Sequence, residues 1–233
     1  MPASNRRTRP VSQAPKKAVD PALRKALRQL CKADCDMARA VKIVADLPDR
    51  RREAGFATLM KIIVEQQLSV ASANAIWGRV HEAALPFTPE AFLRLTTPKL
   101  RRCGLSAGKI LYCRELARAL VDGTLDLEAV HGMDDQAAIA ELVKVKGIGR
   151  WTAEIYLLFA LDRPDIWPAH DLALQVALQH VKQLEKRPTA RMMDELAEAW
   201  RPHRAVAARV LWRYYGLQRE AAKAKPAKPV GRA

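Results

Sequence analysis

The sequence predicts an all-α protein, and two observations lead to that prediction. No segment alternates apolar and polar residues as a half-buried strand does. Helix start and stop signals instead recur along the chain and divide it into roughly ten helices joined by short loops. Hydrophobic residues make up 49% of the 233, which is enough to build a real core in one domain or in two small lobes.

Several helix starts are indicated by a capping side chain followed by proline at the first helical position. Asp20-Pro21, Thr88-Pro89 and Thr97-Pro98 carry this signature. Ser106 can cap a helix that Gly123 ends, because glycine commonly terminates helices.

The other helices follow from apolar residues at helical spacing. We expect one from Glu53 to Leu68, with an apolar face that includes Phe56, Leu59, Met60 and Ile63. Three more complete the prediction: Val70 to Ala84, Ala190 to Trp200 with Thr189 as its cap, and Pro202 to Gly216.

Both ends of the chain are basic and poor in large apolar residues. Residues 1–19 carry five basic residues and no acid, and residues 219–233 carry five basic residues and one acid. We expect both tails to be disordered, flanking a folded domain at residues 20–218. The net charge of +15 favours nucleic acid as the partner, although basic tails can also serve solubility alone.

Several protein classes are disfavoured by composition. No apolar stretch reaches membrane-spanning length, and residues 1–17 lack the apolar segment of a secretion signal. We expect a monomer with reduced thiols, with no membrane partner, in the cytoplasm (with the nucleoid if the source is bacterial). The cysteines form no tight metal-ligand cluster, so we expect no metal; they are Cys31, Cys35, Cys103 and Cys113.

The most informative segment runs from Ile139 to Leu161. An apolar helix ends near Val145, the turn Gly147-Ile148-Gly149 follows, and a second apolar helix begins. Two glycines permit a tight turn and a close backbone approach, while the isoleucine fills the gap between the helices. The free amides of the turn and of the second helix then form an anion site suited to a DNA phosphate. The alternative is an ordinary glycine-capped turn.

The longer string from Val145 to Ala153, Val-Lys-Gly-Ile-Gly-Arg-Trp-Thr-Ala, resembles the helix-hairpin-helix of DNA glycosylases. It most closely resembles their alkylation branch, the 3-methyladenine DNA glycosylase II family. The resemblance covers about residues 53–218 and implies two helical lobes with a substrate cleft between them. Residues 62–165 would form mostly one lobe, and the N-terminal helices would join the C-terminal ones in the other. The implied DNA contacts in the hairpin are Lys146, Gly147, Gly149, Arg150 and Thr152.

The resemblance also implies a catalytic aspartate in the loop that follows the hairpin. The matching residue is Asp171, which lies 24 positions after Gly147. A carboxylate there would stabilise the positive charge that develops on the sugar and would help to activate water. The alternatives are that Asp171 only caps a helix, or that Asp162 or Asp165 is the acid. His170 is a candidate contact to DNA phosphate, or simply a solvent-facing residue.

Trp151 stands where bifunctional relatives carry a nucleophilic lysine, so the resemblance implies a monofunctional enzyme that uses water. No cysteine follows the hairpin, and we therefore expect no iron–sulfur cluster and no other cofactor. Aromatic faces stack well on electron-poor alkylated purines, which makes Trp151 the first candidate for the base pocket. His203 and Tyr156 are further candidates, while Ile155 stands where an aromatic residue is expected.

The segment from Glu65 to Ser69 resembles the loop that fills the gap left by a flipped nucleotide, with Gln67 or Leu68 as the wedge. A polar helix end over the core is the alternative. The implied function is that of a monofunctional DNA N-glycosylase that removes alkylated purines, of the 3-methyladenine and 7-methylguanine type, from double-stranded DNA. Two other functions stay open: a glycosylase for other damaged or mismatched bases, and a non-catalytic DNA-binding module.

Overall fold

The protein is described here from a computed structural model that covers residues 20–224. Within that range the chain forms thirteen α-helices and one short 3-10 helix, and no strand. The all-α prediction is therefore confirmed. The predicted disorder of residues 1–19 and 225–233 lies outside the described residues. None of the described helices is both long and apolar enough to cross a membrane.

The helices are numbered in chain order. Their bounds are α1 Pro21–Ala33, α2 Cys35–Val44, α3 Phe56–Glu65, α4 Val70–Ala83, α5 Pro89–Leu93, α6 Thr97–Arg102, α7 Ala107–Val121, α8 Leu127–Gly132, α9 Asp135–Leu142, α10 Arg150–Phe159, α11 Leu172–Val181, α12 Ala190–Ala197 and α13 Arg204–Ala224. The 3-10 helix, Glu198–Trp200, follows α12 directly.

Capping explains where most helices begin. The Asp20 carboxylate accepts a hydrogen bond from the amide of Ala22 at 2.8 Å, as predicted for the start of α1. The predicted caps of α5, α7 and α12 are also present; they are Thr88, Ser106 and Thr189. The cap of α6 is Thr96 and not Thr97, because the Thr96 hydroxyl accepts from the amide of Lys99.

Three helices, α3, α12 and α13, differ from the prediction in their bounds. The helix α3 is shorter than expected, because Gly55 adopts a φ of 127° before it and Gln66 leaves helical geometry after it. The helix that Thr189 caps was expected to continue to Trp200. It changes instead from α-helical to 3-10 geometry at Glu198, in the turn that buries Trp200.

The last helix starts at Arg204 instead of Pro202 and continues past Gly216 to Ala224. A glycine inside a helix is tolerated where neighbouring side chains still pack, and Leu217 packs against the core. Six residues that we expected to be disordered, 219–224, are therefore helical.

The helices pack in two groups. The helices α1, α2, α11 and α13 contact one another, so the N-terminal and C-terminal segments form one lobe as the resemblance implies. The helices α3 to α10 pack together through α3 and α7 and form the other lobe. The start of α10 and the start of α11 lie where the two lobes meet, because side chains from both bond to each other there.

Candidate active site

The two glycines of the hairpin turn have different structural roles. Gly147 has a φ of +98°, and a Cβ atom built on it would lie 2.3 Å from the Cβ of Tyr112 on α7. Gly149 is extended, and a Cβ built there meets nothing within 4 Å. Ile148 between them is buried, as predicted. Gly147 therefore allows the turn to pack closely against Tyr112 of α7, whereas Gly149 leaves open space in front of the turn.

The first turn of α10 offers free amides to an anion. Its cap is Gly149, which has no side chain to accept their hydrogen bonds, and the positive end of the helix dipole lies there. Lys146 and Arg150 are exposed beside it. The Arg150 guanidinium is held by the buried Glu154 at 2.8 Å, and burial raises the pKa of that carboxyl to about 7.

The Thr152 side chain does not belong to this surface, which corrects its predicted role as a side-chain contact to DNA and leaves only its backbone amide in the first turn of α10. Only 2% of Thr152 is exposed, and its hydroxyl accepts a hydrogen bond from the Gln66 amide at 2.9 Å. The same Gln66 nitrogen donates to the carbonyl of Gly147 at 3.2 Å. Thr152 thus fixes the α3–α4 loop to the hairpin.

The α3–α4 loop projects the two predicted wedge residues. The Lys109 ammonium donates to the carbonyls of Val64 and Gln66 at 2.6 and 2.8 Å and holds the base of the loop. Gln67 is exposed with a φ of 57°, and Leu68 is 39% exposed. Both side chains are free to enter a gap in a duplex, and the identity of the wedge stays a prediction.

Asp171 lies at the junction of the two lobes and accepts three hydrogen bonds. Its Oδ2 atom accepts from the indole of Trp151 at 2.8 Å. Its Oδ1 atom accepts from the indole of Trp212 at 3.1 Å and from the amide of Leu174 at 2.9 Å. The carboxylate caps α11 and is also oriented by two tryptophans, so the cap is confirmed, and its catalytic role stays a prediction.

The loop before Asp171 is anchored in the core. The buried Trp167 donates to the carbonyl of Met193 at 3.1 Å and packs edge-on against Trp200. The Asp171 amide donates to the carbonyl of Pro168 at 2.9 Å. His170 beside it is exposed, which leaves it open to solvent or to a partner. This loop holds the carboxylate in a fixed position.

The two competing acids do not share this position. Asp165 is bonded to Arg201 at 2.6 Å and to Arg204 at 2.9 Å, and so serves a structural ion-pair cluster. Asp162 lies on the exposed surface at a φ of 51°. Of the three acids, Asp171 is the one that accepts hydrogen bonds from Trp151 and Trp212.

Two of the predicted pocket residues lie elsewhere. Tyr156 is fully buried, and its hydroxyl accepts from the Gly55 amide at 2.9 Å. It follows Trp151 by five residues, which turns it about 140° away around α10. The His203 imidazole bonds to Gln29 of α1 in a separate cavity. Of the three candidates, the structure brings only Trp151 to the carboxylate.

The sequence analysis missed Trp212. It is half-buried on α13, bonds Asp171 and packs against Phe159 with ring centroids 5.5 Å apart. Its position is one residue off the buried stripe that Leu211 belongs to. The sequence did contain a signal: this tryptophan lies beside the apolar stripe of its helix and not within it. A partly buried tryptophan needs an acceptor for its N–H, and such a position therefore indicates a polar partner.

The group that most resembles a metal site is Asp34, Cys35 and Asp36, whose ligand atoms lie within 4.8 Å of one another. The Lys182 ammonium already bridges the two carboxylates, at 2.7 and 3.0 Å. This arrangement fits a structural salt bridge between α11 and the α1–α2 turn.

Comparison with known proteins agrees with this geometry. The family model described as HhH-GPD superfamily base excision DNA repair protein matches residues 60–202. The chain is 32% identical over 222 residues to DNA-3-methyladenine glycosylase 1 of Schizosaccharomyces pombe, covering 92% of this chain and 96% of that protein.

Solved structures give the same result. A 3-methyladenine DNA glycosylase of Schizosaccharomyces pombe in complex with abasic DNA superposes with a TM-score of 0.76 at 32% identity, covering 81% of this chain and 95% of that one. A DNA-3-methyladenine glycosidase of Bacillus halodurans gives 0.73 at 29% identity, covering 87% and 92%. The chain therefore belongs to the HhH-GPD superfamily of base excision DNA repair proteins.

Proposed function

We propose that the protein is a monofunctional DNA N-glycosylase that hydrolyses the bond between an alkylated purine and its sugar in double-stranded DNA. One observation carries the proposal: the Asp171 carboxylate lies where the lobes meet, at the start of α11, and is held there by Trp212 and by Trp151 in the first turn of the helix that the hairpin leads into. A helix-hairpin-helix that served binding alone would need no oriented acid at this place.

The residues suggest how the reaction proceeds. A damaged nucleotide must leave the base stack before its glycosidic bond is accessible. As the bond between C1′ and the purine nitrogen breaks, positive charge develops on the sugar, and the Asp171 carboxylate stabilises it. Water then adds to C1′, its proton passes to the carboxylate or to solvent, and the base leaves with the bonding electron pair. Trp151 has no amine with which to replace water in this step.

The choice of alkylated purines rests on two supports. A methylated purine that carries positive charge stacks favourably on an electron-rich indole, and Trp151 and Trp212 both stand at the carboxylate. The relatives named above carry 3-methyladenine in their names. We place the enzyme in the cytoplasm, because all four cysteines are free thiols.

A panel of duplexes that each carry a single lesion tests the proposal, with release of free base as the measurement. We expect release from duplexes that contain 3-methyladenine or 7-methylguanine. Release from deaminated or mismatched bases alone would support the other glycosylase function. Binding to every duplex without release of any base would support the non-catalytic module.

Borohydride treatment tests the hydrolytic route separately. A lysine nucleophile would form a Schiff base with the sugar, and borohydride would trap it as a covalent enzyme–DNA adduct. We expect no adduct under conditions in which base is released, because Trp151 replaces the amine. A bifunctional relative provides the positive control, and a trapped adduct of this protein would contradict the monofunctional assignment.

A further inference from the structure

Three arginines gather beside Trp212, which also donates a hydrogen bond to Asp171. Arg209 and Arg213 lie one turn apart on α13, with Trp212 on the same face. Arg50 reaches the same place from the segment between α2 and α3. These four residues line a shallow cavity together with Leu47 and Pro48. We call Arg50, Arg209 and Arg213 the arginine cluster.

The arginine cluster has little negative charge to balance it. The Asp49 carboxylate lies near enough to interact with Arg209 but is already paired with Arg51, and the two arginines lower its pKa. Arg209 donates to the carbonyl of Pro48 at 3.4 Å, and Arg213 comes no closer than 4.0 Å to Glu220. Among the residues that the structure describes, Arg50 forms no salt bridge. Partial burial and the positive charges of the neighbouring arginines lower the pKa of Arg50. Like charges at this spacing destabilise a fold, so the cluster costs the free protein stability.

The position of the cluster indicates which anion would balance it. Trp212 forms a wall of the arginine cavity and also donates to Asp171, so a single side chain separates the cluster from the carboxylate. A sugar placed at Asp171 carries a phosphate on each side, since each DNA strand has one negative charge per about 3.4 Å of helix axis. A phosphate on the Trp212 side of that sugar would lie within reach of the cluster.

We propose that Arg50, Arg209 and Arg213 bind a backbone phosphate of the strand that carries the damaged base, next to the flipped nucleotide. The inference rests on the proposed function, because it requires a sugar at Asp171. Guanidinium groups suit phosphate oxygens through paired hydrogen bonds. The bound phosphate would also offset the repulsion between the arginine charges and the positive charge that forms on the sugar.

The salt dependence of DNA binding tests the proposal. The probe is a duplex with a stable abasic analogue, and the variants are Arg50→Gln and Arg213→Gln. Each lost phosphate contact should lower the slope of log affinity against log salt by about 0.9 and the affinity by roughly five- to tenfold at 0.1 M salt. Arg39→Gln is the matched control, because it removes the same charge from an exposed side chain that pairs with Asp36 on α2, outside the cluster. Equal slopes for the Arg50 and Arg39 variants would overturn the proposal.

Uncharged phosphate analogues identify which backbone phosphate the arginine cluster binds. Methylphosphonate is placed, one position at a time, on either side of the abasic analogue in the damaged strand. We expect one position to weaken binding by the wild type and to have a smaller effect in Arg50→Gln, since the two changes remove part of the same interaction and Arg209 and Arg213 remain. Additive effects at every position would contradict the assignment of the cluster to this strand.

Stability measurements separate a lost contact from lost folding. Removal of Arg50 relieves repulsion, so the melting temperature of free Arg50→Gln should equal or exceed that of the wild type. A lower melting temperature would mean that the arginine is structural and would overturn the proposal. Failure of the wild type to bind the abasic duplex at all would instead contradict the proposed function, so the two failures are distinguishable.

Discussion

The hairpin and the surroundings of Asp171 are built in different ways. The hairpin is made by backbone within a few residues, where two glycines form the turn and α10 supplies its amides. The carboxylate site is made by side chains that are distant in sequence: Trp151 and Trp212 lie 20 and 41 positions from the acid they bond. A site built from local backbone can be recognised from sequence, whereas one built from distant side chains requires the fold.

A similar contrast exists within the hairpin. Gly147 has a positive φ and lies against Tyr112, while Gly149 is extended and faces open space. We therefore expect the two glycines to respond differently to the same substitution. Substitution of Gly147 should reduce the stability of the fold, whereas substitution of Gly149 should reduce the affinity for DNA.

Gly147→Ala should have the largest effect on the folded state. The new methyl group would overlap the Tyr112 side chain in a backbone conformation that alanine rarely adopts. We expect a loss of about 2–5 kcal/mol in the free energy of unfolding, measured by urea denaturation. A loss below about 1 kcal/mol, within the range of ordinary surface substitutions, would contradict the packing role of this glycine.

Trp212→Phe should lower the rate of base release by about ten- to a hundredfold. The phenyl ring keeps the packing against Phe159 but removes the N–H that Asp171 accepts, and a hydrogen bond to a charged group contributes about 1.5–3 kcal/mol. Single-turnover kinetics measure the rate, and affinity for abasic DNA should change less than about twofold, as expected for an interaction that serves the transition state.

Trp200→Phe is the matched control for Trp212→Phe. It removes the same kind of hydrogen bond, between an indole and the carboxylate of Asp34 at 2.9 Å, in a different part of the molecule. We expect it to reduce stability and leave the rate of release unchanged. Equal losses of rate in both variants would mean that Trp212 acts only through packing.

Gly149→Ala should have the smallest effect, a loss of a few-fold in affinity. The methyl group projects into the open space in front of the α10 amides and keeps a phosphate at a distance. The loss should be the same for damaged and undamaged duplex, because phosphate carries no information about the base. Gly132→Ala is the control, since its Cβ also meets nothing but lies at the end of α8. A loss confined to damaged DNA would mean that the hairpin reads the lesion.

The sequence was sufficient where a residue's role depends on its chain neighbours. Asp20 and Ser106 cap the helices predicted for them, and Asp171 follows the hairpin at the spacing that the resemblance implies. Sequence was insufficient where the role depends on which way a side chain faces in the fold.

Three residues illustrate that second case. Thr152 and Tyr156 lie in the hairpin helix as expected, but tertiary packing turns both into the core. His203 precedes the last helix, which starts two residues later than predicted, and its imidazole bonds to Gln29 of α1. Local patterns carry no information on these neighbours, which come from segments far along the chain.

Asp171→Asn is the sharpest test of the catalytic role of this carboxylate, because the asparagine keeps one oxygen to cap α11 while it removes the negative charge and one of the two oxygens that accept tryptophan N–H groups. The measurement is the single-turnover rate of base release from a 3-methyladenine duplex, beside the affinity for an abasic duplex. The account predicts a loss of rate of at least about a thousandfold with affinity within about twofold of the wild type, since the charge serves the transition state and the phosphates supply the affinity. Release within about tenfold of the wild-type rate, a change of roughly 1.4 kcal/mol, would contradict it.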